Sequence, residues 1–101
     1  MAIDAAYIDS ATEAAVLVLV ESDPWDAEGT RLEALQERIN DCVTFAVDGQ
    51  MTRQFPATKD RRVMISIEYL AEPGPNEHRF FDIVREQLLE HGIELRLVAL
   101  S

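Results

Sequence analysis

Val63-Met64-Ile65-Ser66-Ile67-Glu68-Tyr69-Leu70 is the stretch on which the fold turns. Val63, Ile65, Ile67 and Tyr69 face one way, and Met64, Ser66, Glu68 and Leu70 the other, the two-residue period of a β-strand. Glu72-Pro73-Gly74-Pro75-Asn76 breaks it. The spacing then predicts a helix from Pro75 or Asn76 to His91, with Phe81, Val84 and Leu88 on its inner face. Gly92 is placed to end that helix in a left-handed conformation, with Ile93 folding back on the last turn. Ile93 to Leu100 reads as the last strand, with Ile93, Leu95, Leu97 and Ala99 on one face. A strand–helix–strand unit predicts parallel pairing by a right-handed crossover.

Upstream, Ala14-Ala15-Val16-Leu17-Val18-Leu19-Val20 is an unbroken apolar run of strand length, which predicts burial on both faces. Ile3 to Ile8 reads as an edge strand joined to it through the turn-like Asp9-Ser10-Ala11-Thr12-Glu13. Two helix-start signals follow. Asp23-Pro24 fits a cap and first helical position, and Thr30-Arg31-Leu32-Glu33 fits a capping box. A single turn at Pro24–Glu28 before the main helix satisfies both. Leu32, Leu35, Ile39, Cys42, Val43 and Ala46 then form one apolar stripe, and Gly49 stops the helix. Gln50 to Asp60, with Pro56 inside it, reads as a loop.

The expected order is ββαβαβ. It predicts a single α+β domain over residues 1–101, a two-layer sandwich with a mixed four-stranded sheet and two helices on one face. The 101 residues carry nineteen Asp and Glu against nine Lys and Arg, a net charge of −10. That balance disfavours nucleic acid and anionic membrane surfaces as partners. It leaves basic proteins and copies of the same chain. The single cysteine, Cys42, excludes an internal disulfide. No apolar run approaches the roughly 20 residues of a membrane helix. A cytoplasmic, reducing setting is the expectation.

Two helices cover only one face of a sheet. With Ile65, Ile67, Leu95 and Leu97 turned to the helices, Met64, Ser66, Glu68, Leu70, Glu94, Arg96, Val98 and Leu100 turn away. The second strand adds either Leu17 and Leu19 or Val16, Val18 and Val20. Glu68 and Arg96 could pair across adjacent strands. Such an apolar face suits a homodimer or another protein. The candidate contact surface is Leu17, Leu19, Met64, Glu68, Arg96, Val98 and Leu100. A second candidate is Trp25 among the acids Glu21, Asp23, Asp26 and Glu28. An aromatic anchor with an acidic rim suits an Arg-rich partner, although a Trp that plugs the end of the core is the plainer role.

Other features read as structural. Arg53, Lys59, Arg61 and Arg62 cluster on what reads as a solvated loop and a charged strand edge. His78 and His91 stand about 20 Å apart along one helix, too far to share a metal. Cys42 lies on the apolar stripe, away from any basic neighbour that would lower its pKa. No metal site, cofactor site or catalytic motif is present in the sequence, so a non-enzymatic role is the expectation.

Trp25-Asp26, Leu35-Gln36-Glu37-Arg38-Ile39-Asn40, Phe45, Gly49-Gln50 and Phe55-Pro56 together form a W-D … L-Q-x-[KR]-I-N … G-Q … P pattern. It resembles a family of roughly 100-residue bacterial proteins classed as a domain of unknown function, over nearly the whole chain. That family often has Tyr before the Pro, where Phe55 stands here. The resemblance implies an α+β fold and a bacterial, cytoplasmic origin, and it supplies no activity. It draws attention to Gln36, Asn40, Gly49, Gln50 and Pro56. Gln36 and Asn40 share a helix face and could hold the Gln50–Asp60 segment by hydrogen bonds.

Two functions from different classes follow. The first is a protein–protein interaction module, homodimeric or of the immunity or antitoxin type, for which an acidic surface speeds encounter with a basic toxin. The second is a small-molecule or catalytic pocket between the first helix and the 50–60 segment, lined by Trp25, Asn40 and Arg53.

Overall fold

The computed structural model describes residues 3–100. Along the chain run β1 (Ala5–Ile8), β2 (Ala15–Glu21), α1 (Thr30–Val47), α2 (Gln50–Gln54), a 3-10 turn (Pro56–Thr58), β3 (Val63–Tyr69), α3 (Pro75–Leu89) and β4 (Ile93–Ala99). The strands form one sheet in chain order, β1-β2-β3-β4. β1 and β2 are an antiparallel hairpin, while β2–β3 and β3–β4 are parallel. The α+β architecture and the mixed sheet are as the sequence predicts.

Alternation decides which side chains enter the core. Leu17, Leu19, Ile65, Ile67, Ile93 and Leu95 pack with Leu35, Ile39, Cys42 and Phe45 of α1 and with Phe81, Val84 and Leu88 of α3 in one cluster. Ala6 and Ile8 of β1 pack at its margin. This resolves the choice left open on β2. Leu17 and Leu19 are core residues, each 0% exposed, so they are not part of a contact surface. Their strand position puts them in register with Ile65 and Ile67, on the side the helices cover.

Three local expectations are corrected. Residues 24–28 form no helical turn, and Thr30 is the first residue of α1 rather than its cap. The Asp26 carboxylate takes the capping role instead, accepting from the amides of Thr30 (3.1 Å) and Arg31 (2.9 Å). These free first-turn amides hold the Asp26 carboxyl below the usual carboxylate range, the Arg31 amide most of all. The segment after Gly49 is α2 and a 3-10 turn rather than a loop, so the described residues hold three α-helices. Gly49, at φ +91°, ends α1 and starts α2 in a conformation that favours glycine. The Asp48 carboxylate accepts from the Gln50 amide at 3.0 Å, and buried Met51 ties the short helix to the core. Pro56 opens the 3-10 turn, where no amide donor is needed. The third correction is at the first strand. It begins at Ala5 rather than Ile3, and the Asp4 carboxylate bonds the Val20 amide (2.7 Å) and Arg38 (2.6 Å).

Gly74 precedes α3, and its amide donates to the Glu77 carboxylate at 2.7 Å. At the other end Gly92, at φ +70°, turns the chain from α3 into β4.

Candidate interaction surfaces

The helix-free face of the sheet carries Tyr7 from β1, Val16, Val18 and Val20 from β2, Met64, Ser66 and Glu68 from β3, and Glu94, Arg96 and Val98 from β4. It is less open than the sequence suggests. Val16 is 0% exposed although no helix covers it. Arg96 accounts for this. Its side chain lies across the sheet, donating from Nε to the Ser66 hydroxyl (3.3 Å) and from Nη2 to the Tyr7 hydroxyl (2.7 Å). One guanidinium thus ties the two edge strands and roofs the valines between them. The expected Glu68–Arg96 pair does not form. Register sets Arg96 opposite Ser66, and Glu68 opposite Val98. Glu68 has no hydrogen bond or ion pair with any described residue. Beyond the strap, Val20, Val98 and Leu100 are half-buried, and Leu70 is 60% exposed. At the opposite end of β3, Arg62 pairs with Glu94 at 3.3 Å.

The Trp25 region is closed on itself. The indole donates to the Ala71 carbonyl at 2.8 Å and meets Phe81 edge-on, with centroids 6.0 Å apart. Three of its four acids are engaged, and Glu28 is exposed. Asp26 caps α1, and Asp23 pairs with Arg31 at 2.9 Å. Glu21, nearly fully buried, accepts from the same Arg31 at 2.5 Å and lies 3.8 Å from Arg38. The plugging role of Trp25 therefore prevails over the docking one. Sequence spacing does not reveal this clamp, because Glu21, Arg31 and Arg38 come from two elements.

Gln36 and Asn40 bond each other at 2.9 Å, not the 50–60 segment. Their face of α1 is turned to α3. With Thr44 they form one wall of an open groove of about 470 Å³, whose other wall carries Gln87, Glu90 and His91. Val43, Val84 and Leu88 line its floor. This groove, not a space beside the 50–60 segment, is the larger cavity. A smaller one of about 140 Å³ lies between β1 and the 3-10 turn, lined by Tyr7, Phe55 and Thr58. Trp25 and Arg53 line neither. In the basic cluster, Arg61 bonds the carbonyls of Ala57 and Glu13 and thereby anchors the chain before β3.

Cys42 is buried, and burial pushes its thiol up to about 12. At pH 8 the folded protein is therefore expected to resist a thiol-labelling reagent such as iodoacetamide and to be labelled fully in urea. Mass spectrometry counts the adducts, and rapid native labelling would overturn the core assignment. Among the described residues no three His, Cys, Asp or Glu side chains are grouped to hold a metal ion. No helix of the described residues is long and apolar enough to cross a membrane.

The chain belongs to a family of unknown function (DUF6572), whose model matches residues 1–101. No curated protein and no solved structure matches it.

Proposed function

We propose that this member of its family is a non-enzymatic protein-interaction module that self-associates through the helix-free face of the sheet. The observation that carries the reading is the order of charges on that face. Along β3 it runs from Arg62 to Glu68, and along β4 from Glu94 to Arg96. Reversal about the middle of the sheet exchanges plus for minus on both strands. A two-fold axis lying between two stacked sheets would set Arg62 over Glu68 of the second copy and Glu94 over its Arg96. The same operation sets Val16 over Val18. A two-fold interface must be self-complementary in this way, and stacked sheets keep their strands nearly aligned. The four charges sum to zero, so this face escapes the repulsion that a chain of −10 meets elsewhere. Glu68, unpaired within one copy, gains its counter-ion.

The remaining acidic surface would then steer a basic protein to the outside of the dimer. An immunity- or antitoxin-like role, neutralising a basic partner, is the version of this reading that the charge supports.

The test is solution mass by light scattering across a concentration series. The expected species is a dimer of about 23 kDa, twice the 11.4 kDa chain. Glu68→Arg and Arg62→Glu should each raise the dissociation constant at least about tenfold, since like charges meet twice per dimer. The double variant should recover the dimer. A monomer at every concentration, or a double variant no better than the singles, would sink the reading.

A further inference from the structure

The geometry points to the open edge of β4 as the seat of a second copy of this chain, paired strand to strand, antiparallel and centred on Leu95. β4 ends the sheet and pairs only with β3. The Leu100 amide donates to the Tyr69 carbonyl at 2.7 Å, and backbone groups alternate sides along a strand. The peptide groups of Glu94, Arg96 and Val98 therefore face β3. Those of Ile93, Leu95, Leu97 and Ala99 face outward, unmet by any described residue. Exposed edges are normally blunted by proline, lysine, a bulge or shortness. β4 has none of these, and its seven residues run in unbroken register with β3. Arg96, the one base on it, is drawn away across the sheet to Ser66 and Tyr7. The other edge, β1, is four residues long.

The sequence of β4 fits its own copy. Outward groups meet outward groups only in registers two residues apart. Centred on Leu95, antiparallel pairing sets Glu94 beside the second copy's Arg96, twice, on the helix-free side. On the helix side it sets Ile93 beside the second copy's Leu97. Centring on Glu94 or on Arg96, the adjacent registers, brings like charges together. Leu89 adds an apolar contact. It is 60% exposed. It stands about 200° round α3 from Gln87, which lines the side facing α1. Leu89 is thus on the flank above the β4 edge, where the second copy's α3 would run antiparallel.

This contact and the stacking of faces share one level. Leu17, Ile65 and Leu95 are in register across the sheet, and the stacking axis crosses β3 and β4 at Ile65 and Leu95. The edge axis stands perpendicular to the sheet at Leu95. Two perpendicular two-fold axes that meet generate a closed set of four copies. The pairing itself rests on β4 alone, and only the closure rests on the stacking reading. One strand from each copy is a narrower contact than two faces, so four copies form above the concentration at which stacking is complete.

The test mixes ¹³C-labelled and unlabelled full chain at the top of the concentration series. Antiparallel pairing brings the α-protons of Glu94 and the second copy's Arg96 face to face, which gives an intermolecular nuclear Overhauser effect. Stacked sheets, about 10 Å apart, give none. The mass should approach about 46 kDa, four times the 11.4 kDa chain. Leu97→Pro removes an outward donor without touching the β3 ladder. It should weaken the edge contact at least about tenfold and leave the stacked dimer. Glu68→Arg should lose the stacking and keep the α-proton contact. Amide exchange reads the unaltered protein, and the Leu95 and Leu97 amides should gain protection as concentration rises. Absence of the α-proton contact would overturn the edge pairing whatever the mass. So would a contact in another register, or Leu95 and Leu97 amides that exchange freely at every concentration. A mass that stops at about 23 kDa, twice the chain, with the contact present supports the edge pairing and counts against stacking alone.

Discussion

Leu17→Lys is expected to unfold this protein rather than to separate two copies of it. Leu17 is fully buried on the second strand of the sheet, with Ala6 on one side and Ile65 on the other. The helices close the face above it. Losing a buried leucine costs about 2–5 kcal/mol. A lysine there adds an ammonium with no counter-ion and no path to water, about several kcal/mol more. A chain of this length is stable by about 5–15 kcal/mol in total, so the sum is comparable to the whole. Far-UV circular dichroism and urea titration check it. Val98→Lys is the control, because Val98 is half-buried on the helix-free face and its ammonium reaches solvent. That variant should keep a cooperative urea transition. A folded Leu17→Lys protein would mean that β2 presents its other set of residues to the helices.

The contrast also marks how far the sequence reaches. Wherever one period dominates, it was enough: Val63–Tyr69, the α3 stripe and the Gly92 turn stand where their spacing predicts. β2 is different. Its run of valine and leucine has no polar member to mark a face, so only the neighbouring strands decide that leucines point in and valines out. α2 was hidden for another reason. Gln50–Gln54 is too short to show a period, and a proline at position 56 is as typical of a loop as of a short turn, although Asp48 and Gly49 are a recognisable stop-and-restart signal. At the surfaces the sequence supplied Glu68, Arg96, Gln36 and Asn40 but not their partners. Arg96 was expected to seek the nearest opposite charge. The register offers it Ser66 instead, and its length lets it reach Tyr7 across the sheet. Gln36 and Asn40 were rightly placed on one helix face. Which neighbour that face meets depends on how α3 crosses α1, and no local pattern encodes that.

Arg38→Met is expected to cost about 3 kcal/mol, and adding Glu21→Met to return part of the loss. Glu21 closes β2 with its side chain turned to the core, 2% exposed. Arg31 satisfies one carboxylate oxygen, and the other has no hydrogen bond. For that oxygen Arg38, at 3.8 Å, supplies charge rather than a bond. Arg38 also donates to the Val20 carbonyl at 3.1 Å. Taking one partner from a buried ion pair costs about 3–5 kcal/mol, because the remaining charge stays desolvated. The low end applies here, since Arg31 remains. The Arg38 contact with Asp4 joins two partly exposed groups and is worth about 1 kcal/mol at most, so Asp4→Asn should be mild. Replacing the carboxylate as well removes the charge that needed repayment, and a methionine of similar volume can pack in its place. Urea midpoints at constant slope report all four proteins. A double variant less stable than Arg38→Met alone would show that Glu21 is held by contacts other than charge. If instead the predicted order holds, most of the damage in Arg38→Met comes from the stranded Glu21 charge, and the charged clamp fixes where the end of β2 meets the start of α1 more firmly than the apolar pair that replaces it.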